Sequence, residues 1–366
     1  MMRSINRSLL RSLLFFSILL SISFSFAAGF YFPESDESWA TVNPASVGWN
    51  ADLLDRALAV AEERNSSGVL ILHKGRIMAE GHWDIVNPST RYNNFVTGKD
   101  EKGRVIEDVA SAQKSIVAVL AGMAQERGYL ELDDSVSKYL GVGWSKASAD
   151  QEQIITIRHL LSMNSGLATD FSFESAPNTK WLYNTPVYHA TMRVLSAATG
   201  LGRNELTVGW ISDPLGMPNS QWTPRHWASA DIAVGYSTTV RELARFGIMI
   251  QAGGRWEDLV ILQDSEYLAD MLSPSQFLNP AYGYLWWING QDFSVSAAPR
   301  TTRTEGTLIR SAPSDMVAMQ GALDRKLYLV PSLDLIVARL GGDGRRQGSS
   351  FNEAFWEALM AAAPGQ

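Results

Sequence analysis

From Ser111 to Gly128 the chain runs through Ile116, Val117, Ala118, Val119, Leu120, Ala121, Met123 and Ala124 with almost no polar interruption. At the helical repeat those side chains cover every face, so this helix has to be buried on all sides, among the other layers of the fold. Gly128 supplies its C-terminal stop. The other end carries Ser111-Ala112-Gln113-Lys114, and i, i+3 spacing puts a hydroxyl and an amine on one face within hydrogen-bonding reach. A buried amine at a helix start needs an explanation. Desolvation and the positive end of the helix dipole both disfavour the ammonium, so Lys114 can be neutral enough near pH 7 to take a proton from Ser111. A capping serine beside a lysine that snorkels to water would leave the same tetrapeptide. A second copy, Ser135-Val136-Ser137-Lys138, stands in a polar stretch after Asp133-Asp134.

The elements around this helix fall into three blocks. Asp52 to Glu63 repeats leucine and alanine on one helical face, and Val69–Leu72 and Ile77–Gly81 read as two strands joined by a tight turn at Lys74-Gly75. The middle is helix-rich, with helices expected at Ile157–Met163, Val187–Thr199 and Val240–Gly253. Strands return at Leu285–Ile288, Met316–Gln320, Lys326–Val330 and Leu335–Leu340, and Phe351–Ala363 closes as a helix. Strands first, helices in the middle and strands last predict an α/β fold of the α+β kind: an antiparallel sheet flanked by helices, completed by the C-terminal half, with a helical region inserted. A chain of 366 residues also exceeds the roughly 250–300 residues at which single cores stop growing. The expected division is a sheet sub-domain at about 45–110 and 281–366 and a helical region at about 111–280, all within one domain spanning 29–366.

Residues 1–28 predict export. Arg3, Arg7 and Arg11 precede an apolar run from Leu13 to Phe26, and small residues follow at Ala27 and Ala28, the three-part pattern of a signal peptide. The serines that interrupt the run argue against an uncleaved membrane anchor, so the mature protein is expected in the periplasm or secreted, with no stable membrane insertion. A net charge of −7 and the absence of long basic runs give no footprint for nucleic acid. With no cysteine there is neither a disulfide framework nor a thiolate metal site. His73, His82, His159, His189 and His226 stand apart without metal-ligand spacing, and no G-x-S-x-G elbow accompanies them. No metal or cofactor is therefore expected. A serine hydrolase on this chain needs a base other than histidine, and Tyr183 in Trp181-Leu182-Tyr183-Asn184-Thr185 is the candidate beside Lys114; an aromatic anchor next to Trp181 is its structural alternative.

Five ordered stretches carry a resemblance. They are Ser111-Ala112-Gln113-Lys114-Ser115 with its long helix, Ile155 to Leu167, the Tyr183 segment, Tyr282 to Trp287, and Leu327 to Leu340. Together they resemble the serine β-lactamase and penicillin-recognising superfamily, in particular its class C-like branch of esterases, D-aminopeptidases and 6-aminohexanoate-dimer hydrolases. The resemblance implies that Ser111 is acylated, that Lys114 and Tyr183 share the proton transfers, and that the backbone N–H groups of Ser111 and Ala322 form the oxyanion hole.

Two departures bear on substrate. Where the family often has Tyr-x-Asn, this chain reads Tyr183-Asn184-Thr185, which leaves Thr185, or Asn184 from one place earlier, to meet the substrate amide. Where β-lactamases carry Lys-Thr-Gly or His-Thr-Gly on the strand facing the serine, the aligned residues are Met319-Gln320-Gly321, so Gln320 and Gly321 are expected to line the substrate, the glycine letting it lie against the strand. The missing cation removes a charge-assisted contact to a substrate carboxylate, of about 1.5–3 kcal/mol. That favours a small-molecule acyl substrate, an ester or small amide, over a β-lactam or a D-amino-acid peptide. A catalytically silent protein that binds cell-wall peptide or a partner is the alternative from another class. Trp181, Trp286, Trp287 and Phe171 are candidates to line an apolar pocket, with the segment 291–314 as an adjacent loop.

Overall fold

Two strands near the N-terminus and four near the C-terminus form one six-stranded sheet. Its order is Arg76–His82, Ser66–His73, Leu335–Gly341, Arg325–Val330, Val317–Gly321 and Trp287–Ile288, with every neighbouring pair antiparallel. The computed structural model describes residues 29–34, 38–297, 301–346 and 348–365. The expected signal segment 1–28 lies outside the described residues. Leu70 faces Ala338 and Ile71 faces Val337 across the sheet's centre, and these strands are buried along nearly their whole length. That is why they read as continuous apolar runs rather than alternating ones. The turn between the first two strands holds Lys74 and Gly75 at φ 48° and 79°, the left-handed pair that a two-residue hairpin requires.

Helices cover the sheet. Ala51–Glu63 and Phe351–Ala361 pack on each other, and Val240–Gln251 packs on the central strands. The apolar helix spans Gln113–Glu126, with every residue from Gln113 to Ala124 buried, as its all-round apolar surface demands. A 3₁₀ turn at Ala110–Ala112 leads into it, so Ser111 sits on the turn and Lys114 in the first turn of the helix proper.

A second antiparallel sheet, missing from the sequence reading, draws two strands from before the Ser111 turn and two from the inserted region. Val96–Lys99, Val105–Asp108, Val234–Thr238 and Gln221–Pro224 pair in that order. The strands at 221–224 and 234–238 lack apolar alternation because polar side chains pair sideways: Thr223 with Ser237 at 2.7 Å and Ser220 with Thr238 at 2.6 Å. The strand expected from Leu285 shrinks to Trp287–Ile288, since Leu285 adopts φ 59°, outside the extended region.

Candidate active site

The turn at Ala110–Ala112 brings Ser111 to one end of the apolar helix, and Lys114 follows it into the core. The Lys114 Nζ lies 3.1 Å from the Ser111 Oγ. The amine is buried, facing the rings of Tyr183 and Tyr188 at 4.9 and 4.7 Å from their centroids. Burial, and then the nearby Arg225 charge, lower its pKa from 10.5 to about 7, because an ammonium that leaves water without a counter-ion is costly. The snorkelling alternative is thereby excluded for this copy of the motif. In the other copy Lys138 is more than half exposed and bonds Asp134 at 2.7 Å, while Ser135 donates to the Glu152 carbonyl; it is an ordinary surface ion pair.

Tyr183 approaches Ser111 from the segment that leads into the helix Thr185–Thr199. Burial holds the pKa of its phenol up at about 12, the neighbouring Ser111 hydroxyl opposing part of that rise. It is therefore a neutral phenol at physiological pH. Trp287 stacks on it at 5.9 Å and Tyr282 meets it edge-on at 6.1 Å, so aromatic packing fixes its orientation.

Ser111, Tyr183, Thr185, Gln320, Gly321 and Ala322 line one cleft of about 760 Å³. Trp287 forms part of its wall, and Ser294, Ser296, Thr304 and Thr307 bring a hairpin (Phe293–Val295 with Arg303–Glu305) from the 291–314 segment along its side.

Two of the expected substrate contacts are elsewhere. Asn184 is buried as a helix cap, its Oδ1 accepting from the Val187 N–H at 3.2 Å and its Nδ2 donating to the Leu167 carbonyl at 2.8 Å. Both ends of the amide are thus occupied within the protein. Trp286 is fully buried against Phe246. Successive residues of an extended chain point to opposite sides, so the cleft receives Trp287 and the core receives Trp286. Phe171 lines a separate, smaller pocket beside His189, and Trp181 packs behind Tyr183.

Gly321, which lines the cleft as expected, is also required by the packing behind it. A Cβ there would stand 2.2 Å from the Val109 carbonyl oxygen and 3.2 Å from the Ala112 nitrogen, so the glycine lets the strand close onto the turn that carries Ser111. Gly321→Ala is expected to cost about 1–3 kcal/mol through overpacking, read as a lower urea midpoint, with a parallel fall in any Ser111-dependent activity.

The expectation of a cleft without a cation is also overturned. Lys326 lies opposite Gln320 on the adjacent strand, and its Nζ donates to the Gln320 Oε1 at 2.8 Å and lies 3.6 Å from an Asp324 oxygen. Burial lowers its pKa to about 8, which leaves it mostly protonated at pH 7. Arg91 and Arg345 line the same cleft. The aligned tripeptide 319–321 could not reveal this, because the cation arrives by cross-strand register from six residues beyond Gln320.

Comparison with known proteins bears on the family and the fold. The family model for β-lactamase matches residues 54–340. An uncharacterised protein of Alkalihalophilus pseudofirmus is 23% identical over 303 residues, covering 75% of this chain and 83% of its own. Among solved structures, the D-alanine carboxypeptidase AmpC of Burkholderia cenocepacia superposes with a TM-score of 0.63 at 14% identity, over 88% of this chain and all of that one. A protein assigned as a 6-aminohexanoate-dimer hydrolase in Bacillus anthracis gives 0.61 at 14% identity, over 92% and 87% of the two chains. At such identities the structural likeness speaks for the fold.

Proposed function

The chain belongs to the β-lactamase family, and from that premise we propose that it is a serine hydrolase cleaving small esters or amides through an acyl-enzyme on Ser111. The observation that carries this reading is the buried Lys114 amine, with its pKa near 7, at hydrogen-bonding distance from a cleft-lining hydroxyl. In its neutral form Lys114 takes the Ser111 proton as the Oγ attacks the substrate carbonyl. The backbone N–H groups of Ser111 and Ala322 receive the developing oxyanion. Tyr183 stays protonated and passes the proton to the leaving alcohol or amine, recovering one from Lys114. Water then attacks the acyl carbon, giving a proton to the same pair, and as the bond between the acyl carbon and the Ser111 Oγ breaks that proton returns to the Oγ and the acid leaves. The three-part pattern read at residues 1–28 supports export of this activity to the periplasm or beyond, as part of the same proposal. The direct test is intact-protein mass spectrometry after acid quench of a p-nitrophenyl butyrate reaction. A butyryl adduct that is present in the wild type and missing in Ser111→Ala supports the acyl-enzyme; a wild type that never carries one removes it.

The cations at the cleft favour a second reading within the same chemistry, in which the substrate carries a carboxylate, as β-lactams and D-amino-acid peptides do. Under it, Lys326→Gln raises KM about tenfold for a carboxylate-bearing ester and leaves KM for a neutral ester of the same acyl group unchanged, the loss expected for one charge-assisted contact. Equal effects on both esters would return the substrate to the neutral class.

A further inference from the structure

We propose that Arg225 is a positioning residue of the hydrolytic site, clamping the two segments that flank Ser111. This rests on the reading of Ser111 and Lys114 as the reacting pair. Arg225 follows the strand Gln221–Pro224, more than a hundred residues from Ser111 in sequence, and is not among the residues that line the cleft. Upstream of Ser111 it grips Asp108 with two bonds, Nε to Oδ2 at 2.6 Å and Nη2 to Oδ1 at 2.8 Å. Downstream, the same Nη2 reaches the Gln113 Oε1 at 3.1 Å. The planar fork of a guanidinium suits this bidentate grip, which a lysine could not reproduce.

The gripped groups in turn hold the chain at Ser111. Asp108 accepts from the Ala110 N–H at 2.8 Å, and Ala110 adopts φ 52°, a left-handed conformation that a residue with a Cβ keeps only when its surroundings enforce it. Gln113 also accepts from the Tyr236 N–H at 3.1 Å, and the Tyr236 carbonyl accepts from the Val109 N–H at 2.8 Å. Ser111 is thus enclosed by a closed ring of bonds through residues 108, 109, 110, 113, 225 and 236. Room for it is made at Gly235, where a Cβ would fall 1.9 Å from the Asp108 Oδ2 and 2.6 Å from the Arg225 Nε.

The clamp has an electrostatic side. The groups around the Lys114 amine are Ser111 from its own end of the helix, Tyr183, Tyr188 and His189 from the segment that enters and begins the Thr185–Thr199 helix, and Arg225 with its partner Asp108. Burial is the main cause of the low Lys114 pKa, and the Arg225 charge adds to it. Loss of Arg225 alone would remove that positive charge and uncover a buried carboxylate, and both changes favour the ammonium. The acid limb of the rate profile then moves to higher pH.

The test compares the wild type, Arg225→Met and the double variant Arg225→Met/Asp108→Asn, with kcat and KM for p-nitrophenyl butyrate measured from about pH 5.5 to 9.5 across the limb. In Arg225→Met the plateau kcat is expected to fall about tenfold or more, with KM within about twofold, and the acid limb to rise by about one pH unit. In the double variant no buried carboxylate is left unpaired, so the limb returns toward the wild type while the plateau stays low. The double variant also carries the test if Arg225→Met does not fold, since replacing both members of a buried pair is far milder than removing one. A folded Arg225→Met with an unmoved limb, or a double variant with wild-type kcat, overturns the clamp. Turnover that survives Ser111→Ala sinks the functional reading and the clamp with it, whereas Ser111-dependent turnover untouched by Arg225→Met sinks the clamp alone.

Discussion

Ser111→Ala is expected to lower kcat for p-nitrophenyl butyrate by about 10⁴-fold or more, and Ser135→Ala to leave it within about twofold, because one hydroxyl alone has a buried neutral amine to activate it. The two serines head the same S-x-x-K spacing, so the pair of variants separates motif from environment. Ser111 lies 3.1 Å from an amine buried among tyrosines, whereas Lys138 beside Ser135 is paired with Asp134 and has its pKa raised, chiefly by that hydrogen bond. At pH 7 the second amine is an ammonium with no capacity to accept a proton. Initial rates over the same pH range check a further consequence. The wild-type rate should climb with pH through a limb near 7, as Lys114 loses its proton. Tyr183, held near 12, contributes no limb in the working range. A limb well below 6 would point to a carboxylate base and against Lys114.

The legibility of this site in the sequence follows the reach of local patterns. The Ser111 helix could be read because its burial on every side removes polar residues from every face, a signal contained in one stretch of chain. The long strands at 66–73 and 335–341 were visible for the same reason. Of the neighbouring candidates Asn184 and Thr185, and Trp286 and Trp287, only the second of each pair faces the cleft. In each case the composition of the segment was informative, but phase decides which side chain faces the cleft, and phase depends on where the helix cap and the strand begin. Lys326 was out of reach altogether, since its approach to Gln320 is a fact of cross-strand register. The strands at 221–224 and 234–238 were hidden because their serines and threonines satisfy one another laterally instead of alternating with apolar residues. Arg225 shows the same limit at the longest range: no local pattern ties it to Asp108 and Gln113, whose bonds to it span more than a hundred residues.

Lys114→Met is expected to abolish the Ser111-dependent rate, by about 10³-fold or more, and at the same time to make the protein more stable. The amine is buried, and among the described residues Ser111 is its one hydrogen-bond partner; the fold bears its desolvation without a carboxylate in return. A thioether of similar length fills the same space without that penalty, and replacing buried charge by apolar groups stabilises by about 1–4 kcal/mol where packing is kept. The pH dependence identifies the cause. The folded-state pKa of Lys114 is depressed to about 7 from 10.5, so between those values the unfolded chain binds a proton that the folded protein does not, and stability contributed by this group rises with pH across that window. Below pH 7 the folded protein holds the ammonium and the penalty is fully present. Urea midpoints measured at pH 6 and pH 9 should therefore converge in Lys114→Met relative to the wild type, with the variant's advantage largest at pH 6. A variant less stable than the wild type at both pH values would mean that Lys114 contributes packing or bonding that outweighs its desolvation, and the amine would then be a structural element of the core rather than a base kept neutral by burial.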